Sequence, residues 1–324
     1  MNVLVLLPLS ATQKARLEAG APGAHFVYAA DDSDAVDGAG LSLGTNLTDS
    51  QIAAANVIVG NIPCGRLTAA GNLKLLQLNS AGFDNYLAAG TLPANTILAS
   101  AVGAYGQAVS EHLFAMVLGL MKNLPAYRDS QHERSWEDHG PVATMRGAKV
   151  VVLGTGDIGS HFARLCQAMG AHVIGVRRHI DSVPDGFEAV RTMEALPDLL
   201  PEADVIASFL PSTNETRNLA DESFFAAMKP GAYFVNGGRG DLVDMGALNI
   251  ALRSGHLGGA ALDVTSPEPL PADSPLWDAP NAFITPHVSG GFHLSTVLNN
   301  VVDIAAENLR HLAAGEPIRN AVAR

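Results

Sequence analysis

The chain has 324 residues, a net charge of −12, eleven histidines and only two cysteines. That length is enough for two domains that each bury a core, and the acidic balance argues against nucleic acid or another polyanion as partner. The longest unbroken apolar run, 113–121, falls well short of the roughly 20 residues needed to cross a bilayer, so no membrane partner is expected.

The opening MNVLVLLPLS has no basic region and reads as a buried strand, not a signal peptide. Short strand candidates follow at 3–7, 25–29, 56–60, 73–79 and 96–100, separated by helical or loop segments. This is the pattern of a parallel α/β unit. Residues 31–50 are rich in Asp, Ser, Gly and Thr and read as a mobile, solvated connection. A long apolar helix is predicted from about 105 to 124, then a polar loop at 131–140, QHERSWEDHG. A second α/β unit runs from 149 to 287, and the last helix, about 293–314, carries Leu298, Val301, Val302, Ala305 and Leu309 at helical spacing. Cys64 and Cys166 lie far apart with no CxxC or Cys/His cluster, which predicts reduced thiols in a cytoplasmic protein and no metal site. Cys166 reads as core.

Residues 149–153, KVVVL, form a continuous β-branched run suited to a strand buried on both faces. Gly154, Gly156 and Gly159 follow at G-x-G-x-x-G spacing, with Asp157 and Ile158 between them. Alone that spacing marks many glycine turns. Here Ile158, Phe162, Leu165, Cys166 and Met169 continue it as a helix, which is the context a dinucleotide fingerprint needs. The glycines let a pyrophosphate approach the amides at the helix N-terminus. The next strand, 172–176, ends in Arg177, Arg178 and His179, where an NAD-specific protein usually places an acid. Arginines cannot accept from a ribose diol but can clasp a 2′-phosphate, so NADP(H) is favoured over NAD(H). The other reading of the pair is a solvated basic patch.

Further on stand NGGRG with Arg239, SPEPLP with Glu268 and TPHVSG with His287. Arginine, carboxylate and histidine are the set that reduces a 2-keto acid. The arginine holds the substrate carboxylate and polarises the keto oxygen, the histidine gives the proton, and the carboxylate keeps that histidine charged. Glu268 is stiffened by Pro267 and Pro269. Gly238 and Gly240 are expected to let the Arg239 loop approach a ligand. His112 on the apolar helix, His25, His172 and His256 beside apolar segments, and His132 and His139 in the polar loop read as structural or exposed. His293, at the start of the last helix, is the next candidate after His287 for touching substrate.

From about residue 73 the chain resembles the D-2-hydroxyacid dehydrogenase family, which includes glyoxylate/hydroxypyruvate reductases and D-lactate and phosphoglycerate dehydrogenases. The motifs are LNSAGFDN at 78–85, SEH at 110–112, GTGDIG at 154–159, LPSTNETRNL at 210–219, MKPGAYFVNGGRGDLVD at 228–244, GAALDVTSPEPLP at 259–271 and PNAFITPHVSG at 280–290. The resemblance implies two Rossmann-like doubly wound parallel-sheet domains with an interdomain active-site cleft. The substrate-binding domain, flavodoxin-like, would take residues 1–101 plus 289–324, and the dinucleotide-binding domain residues 102–288. Arg239 would bind the substrate carboxylate, Glu268 would pair with His287, and His287 would be the general acid. Amides near Ala81 and Gly82 would hold the carboxylate as well. Asp263 would contact the nicotinamide carboxamide, Leu210 and Pro211 would lie near the adenine-side ribose and phosphates, and Thr216, Gly238 and Gly290 fall within the cofactor motifs. Arg177 departs from the aspartate common in the family, as in the glyoxylate/hydroxypyruvate reductase branch. A homodimer is the family's usual state. The leading reading is NADP(H)-dependent reduction of a small 2-keto acid such as glyoxylate or hydroxypyruvate. NAD-linked oxidation of a D-2-hydroxy acid and a cofactor-sensing, corepressor-like binding protein are the alternatives.

Overall fold

The computed structural model describes residues 1–29 and 47–323. They form two compact units, Met1–Tyr105 with Gly290–Arg324, and Gly106–Ser289. The chain therefore changes unit at 105/106 and 289/290, where the sequence reading places the changes after 101 and 288. The connection expected over 31–50 lies outside the described residues as far as 46.

The first unit is built on β1 (Asn2–Val5), β2 (His25–Tyr28), β3 (Val57–Val59), β4 (Leu75–Gln77) and β5 (Ile97–Ala99), with α1 (Ala11–Glu18), α2 (Asp49–Ala54) and α3 (Asp84–Ala89) between them. The five strands are parallel in the order β2-β1-β3-β4-β5. All five predicted strands form, each shorter than its apolar run. Leu6 and Leu7, beyond the end of β1, are still buried. The C-terminal helix, Ser295–Ala314, returns to this unit and lies against α1. It is keyed there by buried Asn308, whose Nδ2 donates to Gln77 Oε1 on β4 at 2.6 Å. His293 precedes this helix, which begins at Ser295, so it does not open the helix as expected.

The second unit begins with α4 (Gly106–Met121) and α5 (Leu124–Glu133). It continues through β6 (Lys149–Leu153), α6 (Asp157–Ala168), β7 (His172–Val176), β8 (Ala189–Arg191), α7 (Leu196–Leu199), β9 (Val205–Ser208), α8 (Glu222–Ala227), β10 (Tyr233–Asn236), α9 (Met245–Arg253), β11 (Gly259–Leu262) and β12 (Ala282–Ile284). Its seven strands are all parallel, in the order β12-β11-β10-β9-β6-β7-β8. The order reverses beside β6: β7 and β8 extend to one side and β9 to β12 to the other. An open sheet of this kind binds ligands at the carboxyl ends of its strands, near that reversal. The apolar residues of β6, 150–153, are buried as predicted. Phe225 and Phe234 pack edge to face at 5.3 Å in the core.

Two readings need correction here. The polar loop expected at 131–140 starts inside α5, so His132 is helical. Pro125 sits in the first turn of α5, where its missing N–H is no loss, and a helix with little buried surface escapes detection by apolar spacing. The remainder folds back on α5, with Ser130 Oγ 2.7 Å from His139 Nε2. On α6, Phe162 and Cys166 are buried, but Met169 ends the helix and is exposed. Burial pushes the Cys166 thiol up, as for a core side chain.

Candidate active site

Arg239, Glu268 and His287 stand on the loops that leave β10, β11 and β12, three neighbouring strands of one sheet. All three lie in the second unit. His287 Nδ1 and Glu268 Oε2 are 2.9 Å apart. Glu268 is fixed from behind, because the Thr265 amide donates to its Oε1 at 3.0 Å. The hydrogen bond to Glu268 raises the His287 pKa above its ordinary value. Burial opposes that rise, the charges of Glu268 and Asp263 support it, and Arg239 works against it. For Glu268, burial pushes upward. The hydrogen bonds from His287 and Thr265, helped by the charges of His287 and Arg239, outweigh it and hold the carboxyl below its usual range. Both shifts favour the imidazolium–carboxylate form of the pair.

Arg239 is half-buried, and its Nη1 donates to Gly238 O at 2.8 Å. The glycines around it also allow close packing between loops. A Cβ on Gly238 would lie 2.5 Å from Leu210 O, and one on Gly240 1.8 Å from Thr265 O. The Arg239 loop is therefore wedged between the loop after β9 and the loop carrying Glu268.

Asp263, directly after β11, is 1% exposed. Its Oδ1 accepts from Thr285 Oγ1 at 2.6 Å and from the Val288 amide at 3.0 Å. Its Oδ2 accepts from the Ser289 amide at 3.1 Å and from the Ser289 hydroxyl. Its carbonyl accepts from the His287 amide at 2.8 Å, and His287 itself is held at φ +51°. All four acceptor positions of the carboxylate are taken, so the carboxamide contact expected of Asp263 requires one of these bonds to be exchanged. Sequence reasoning assigns no role to Thr285 or Ser289 and reads His112 as structural or exposed. The available signals are the Thr and Ser flanking Pro286-His287-Val288 and, for His112, its place in the SEH motif at 110–112.

The fingerprint follows β6, beside the reversal of strand order. Gly154 has φ +93°, and a Cβ on Gly159 would lie 1.9 Å from Gly154 O, so both positions require glycine. Gly156 caps α6 with no side chain on the helix's first amides, and a Cβ there would meet nothing within 4 Å. Open space beside uncapped amides fits a dinucleotide pyrophosphate. Asp157 is turned toward the start of α4, since a Cβ on Gly106 would come within 2.5 Å of its Oδ1. Ile158 is half-buried. Arg177 follows β7 with Nη2 3.5 Å from Asp181, and Arg178, 70% exposed, is 3.9 Å from Glu215. Leu210 and Pro211 follow β9, and Thr216 Oγ1 donates to Pro211 O at 2.6 Å, shaping their turn. Met245 packs against the core of the second unit.

Ala81 and Gly82 belong to the first unit, in the loop after β4. Asn61 and Asn79 brace that loop through reciprocal amide–side-chain bonds, and Ser80 Oγ donates to Gly82 O at 2.6 Å. Gly290 also falls in the first unit. Among the described residues no three His, Cys, Asp or Glu side chains are grouped to hold a metal, and no helix is long and apolar enough to cross a membrane.

Residues 114–289 match the family described as D-isomer specific 2-hydroxyacid dehydrogenase, NAD binding domain. A D-3-phosphoglycerate dehydrogenase of Archaeoglobus fulgidus is 31% identical over 257 residues, which cover 79% of this chain and 48% of that protein. The chain thus spans about half the length of the phosphoglycerate dehydrogenases it matches. A glyoxylate reductase of Aeropyrum pernix is 31% identical over 83% of this chain and 82% of its own length. Among solved structures, a D-isomer specific 2-hydroxyacid dehydrogenase family protein from Aeromonas salmonicida aligns with TM-score 0.83 and 35% identity over 99% of this chain and 98% of the other. A D-isomer specific 2-hydroxyacid dehydrogenase from Xanthobacter autotrophicus, solved with NADPH and MES, aligns with TM-score 0.80 and 29% identity over 99% and 98%. The chain belongs to the D-isomer specific 2-hydroxyacid dehydrogenase family.

Proposed function

We propose that this chain reduces a small 2-keto acid of the glyoxylate or hydroxypyruvate class to the D-2-hydroxy acid, with NADPH in preference to NADH. The observation that carries the reading is the 2.9 Å His287–Glu268 pair, formed between the loops after β12 and β11, beside the Arg239 loop after β10. Arg239 meets the substrate carboxylate and the keto oxygen, and its positive charge stabilises that oxygen as it becomes an alkoxide. A bound reduced nicotinamide supplies the hydride to the keto carbon. His287, its Nδ1 held by Glu268, gives the proton from Nε2 to the same oxygen and ends neutral. The preference for NADPH is supported by Arg177 and Arg178 and by the NADPH-bound relative. A homodimer belongs to the same reading, supported by the fully exposed Trp136 with exposed Leu124 and Val142 nearby in sequence. Sedimentation of the purified chain tests it.

The test of function is steady-state oxidation of NADPH and of NADH with glyoxylate, hydroxypyruvate, pyruvate and phenylpyruvate. Turnover of glyoxylate or hydroxypyruvate with NADPH is expected. Turnover with NADH alone removes the role given to Arg177 and Arg178. Cofactor binding without turnover replaces the enzyme by a sensor.

A further inference from the structure

We propose that His112 is a positioning residue for the proton donor, acting through Thr285 and Asp263. The inference rests on the reading of His287 as that donor. His112 lies on α4, away from the loops that carry the chemistry, and its Nε2 is 3.0 Å from Thr285 Oγ1. The Thr285 hydroxyl has a single proton. Asp263 Oδ1, at 2.6 Å, takes it in preference to the thioether of Met116 at 3.8 Å. Toward His112 the hydroxyl can then only accept, so His112 carries its proton on Nε2 and donates. The direction of the chain is thereby fixed: His112 Nε2–H to Thr285, Thr285 O–H to Asp263 Oδ1, with the Val288 amide donating to the same oxygen.

Each bond polarises the next, and the chain ends on the buried carboxylate that shapes residues 285–289. Asp263 holds the amides on the C-terminal side of His287 with its side chain and the His287 amide with its carbonyl. Such support matters because His287 occupies left-handed backbone space, φ +51°, which a non-glycine residue keeps only when its surroundings impose it. α4 lies against β11 and α6, so the histidine anchors the loop to a packed helix. Without His112 the Thr285 hydroxyl loses the donor that polarises it, and its bond to Asp263 Oδ1 weakens. Asp263 Oδ1 then keeps a single firm donor and the loop loosens.

The experiment compares His112→Leu, His112→Gln and Thr285→Val in the full chain. His112→Leu should lower kcat for 2-keto acid reduction by about 10- to 100-fold, the scale of a small misplacement of a reacting group, while the KM for NADPH stays within about twofold of wild type. His112→Gln keeps an N–H donor at similar reach and should recover most of kcat. Thr285→Val should resemble His112→Leu, and the double variant should be no worse than the poorer single one, as for two members of one chain. Amide hydrogen exchange gives a readout that needs no turnover. Peptides covering Val288 and Ser289 should exchange faster in His112→Leu and recover in His112→Gln, while β6 stays protected in all variants. Unchanged kcat, unchanged exchange at 288–289, or loss of protection in β6 as well would overturn the inference. A wild-type protein that reduces no 2-keto acid would instead sink the functional reading, and the exchange data would still decide whether His112 supports the loop.

Discussion

The loops after β10, β11 and β12 differ sharply from those after β7 and β9. The first group is closed in on itself. Asp263 is saturated by the 285–289 loop, Glu268 is held from both sides, and Gly240 lies backbone to backbone against Thr265. In the second group Arg177 and Arg178 reach acidic partners only at 3.5 and 3.9 Å, and those partners are largely exposed. The contrast matches the two tasks proposed for these groups, which make different geometric demands. Proton transfer requires a donor within a hydrogen-bond length of one oxygen, whereas attraction of a phosphate requires charge in the neighbourhood and tolerates mobile side chains.

The contrast breaks most visibly at its centre. His287→Ala should lower kcat about 10²- to 10⁴-fold, the usual worth of a general acid, with NADPH affinity by fluorescence titration nearly unchanged. Retained kcat would remove His287 as donor. On the open side, Arg177→Asp should move the NADPH-to-NADH ratio of kcat/KM by about 10- to 100-fold toward NADH, the scale of one or two charged hydrogen bonds. An unmoved ratio would mean that Arg177 does not meet the 2′-phosphate.

Glu268→Gln sharpens the picture through pH. In the proposed reaction His287 must be protonated and Glu268 raises its pKa, so activity is expected below that pKa and lost as pH rises through it. Removing the carboxylate lowers the histidine pKa, and the alkaline limb of kcat/KM should move to lower pH. A limb that stays in place would place the titration elsewhere. The smallest effect is expected at Arg178, 70% exposed. Arg178→Ala should change the KM for NADPH only about threefold, and less as salt is raised.

The three site residues were legible because each carries a distinctive local setting: glycines about Arg239, prolines about Glu268, a proline before His287. The fingerprint was legible because a strand, a glycine turn and a helix occur in unbroken order. Two features of the same neighbourhoods lie beyond local sequence. The glycines of NGGRG also let other loops pack against the Arg239 loop, and the Asp263 carboxylate accepts bonds from within the chain. Helix α5 was read in part as loop because its residues bury little.

By itself the sequence determined the elements whose signals are local. Continuous apolar runs made parallel strands, glycines at G-x-G-x-x-G spacing made the turn after β6, and an arginine, a carboxylate and a histidine were each placed just beyond a strand. Tertiary structure alone decided which of these meet. The pairing of His287 with Glu268 across 19 positions and of His112 with Thr285 across 173 depends on strand order, which brings β10, β11 and β12 side by side and lays α4 against β11. A hydrogen bond needs about 3 Å between two atoms, and no spacing along a chain can state that distance once the partners lie on different elements.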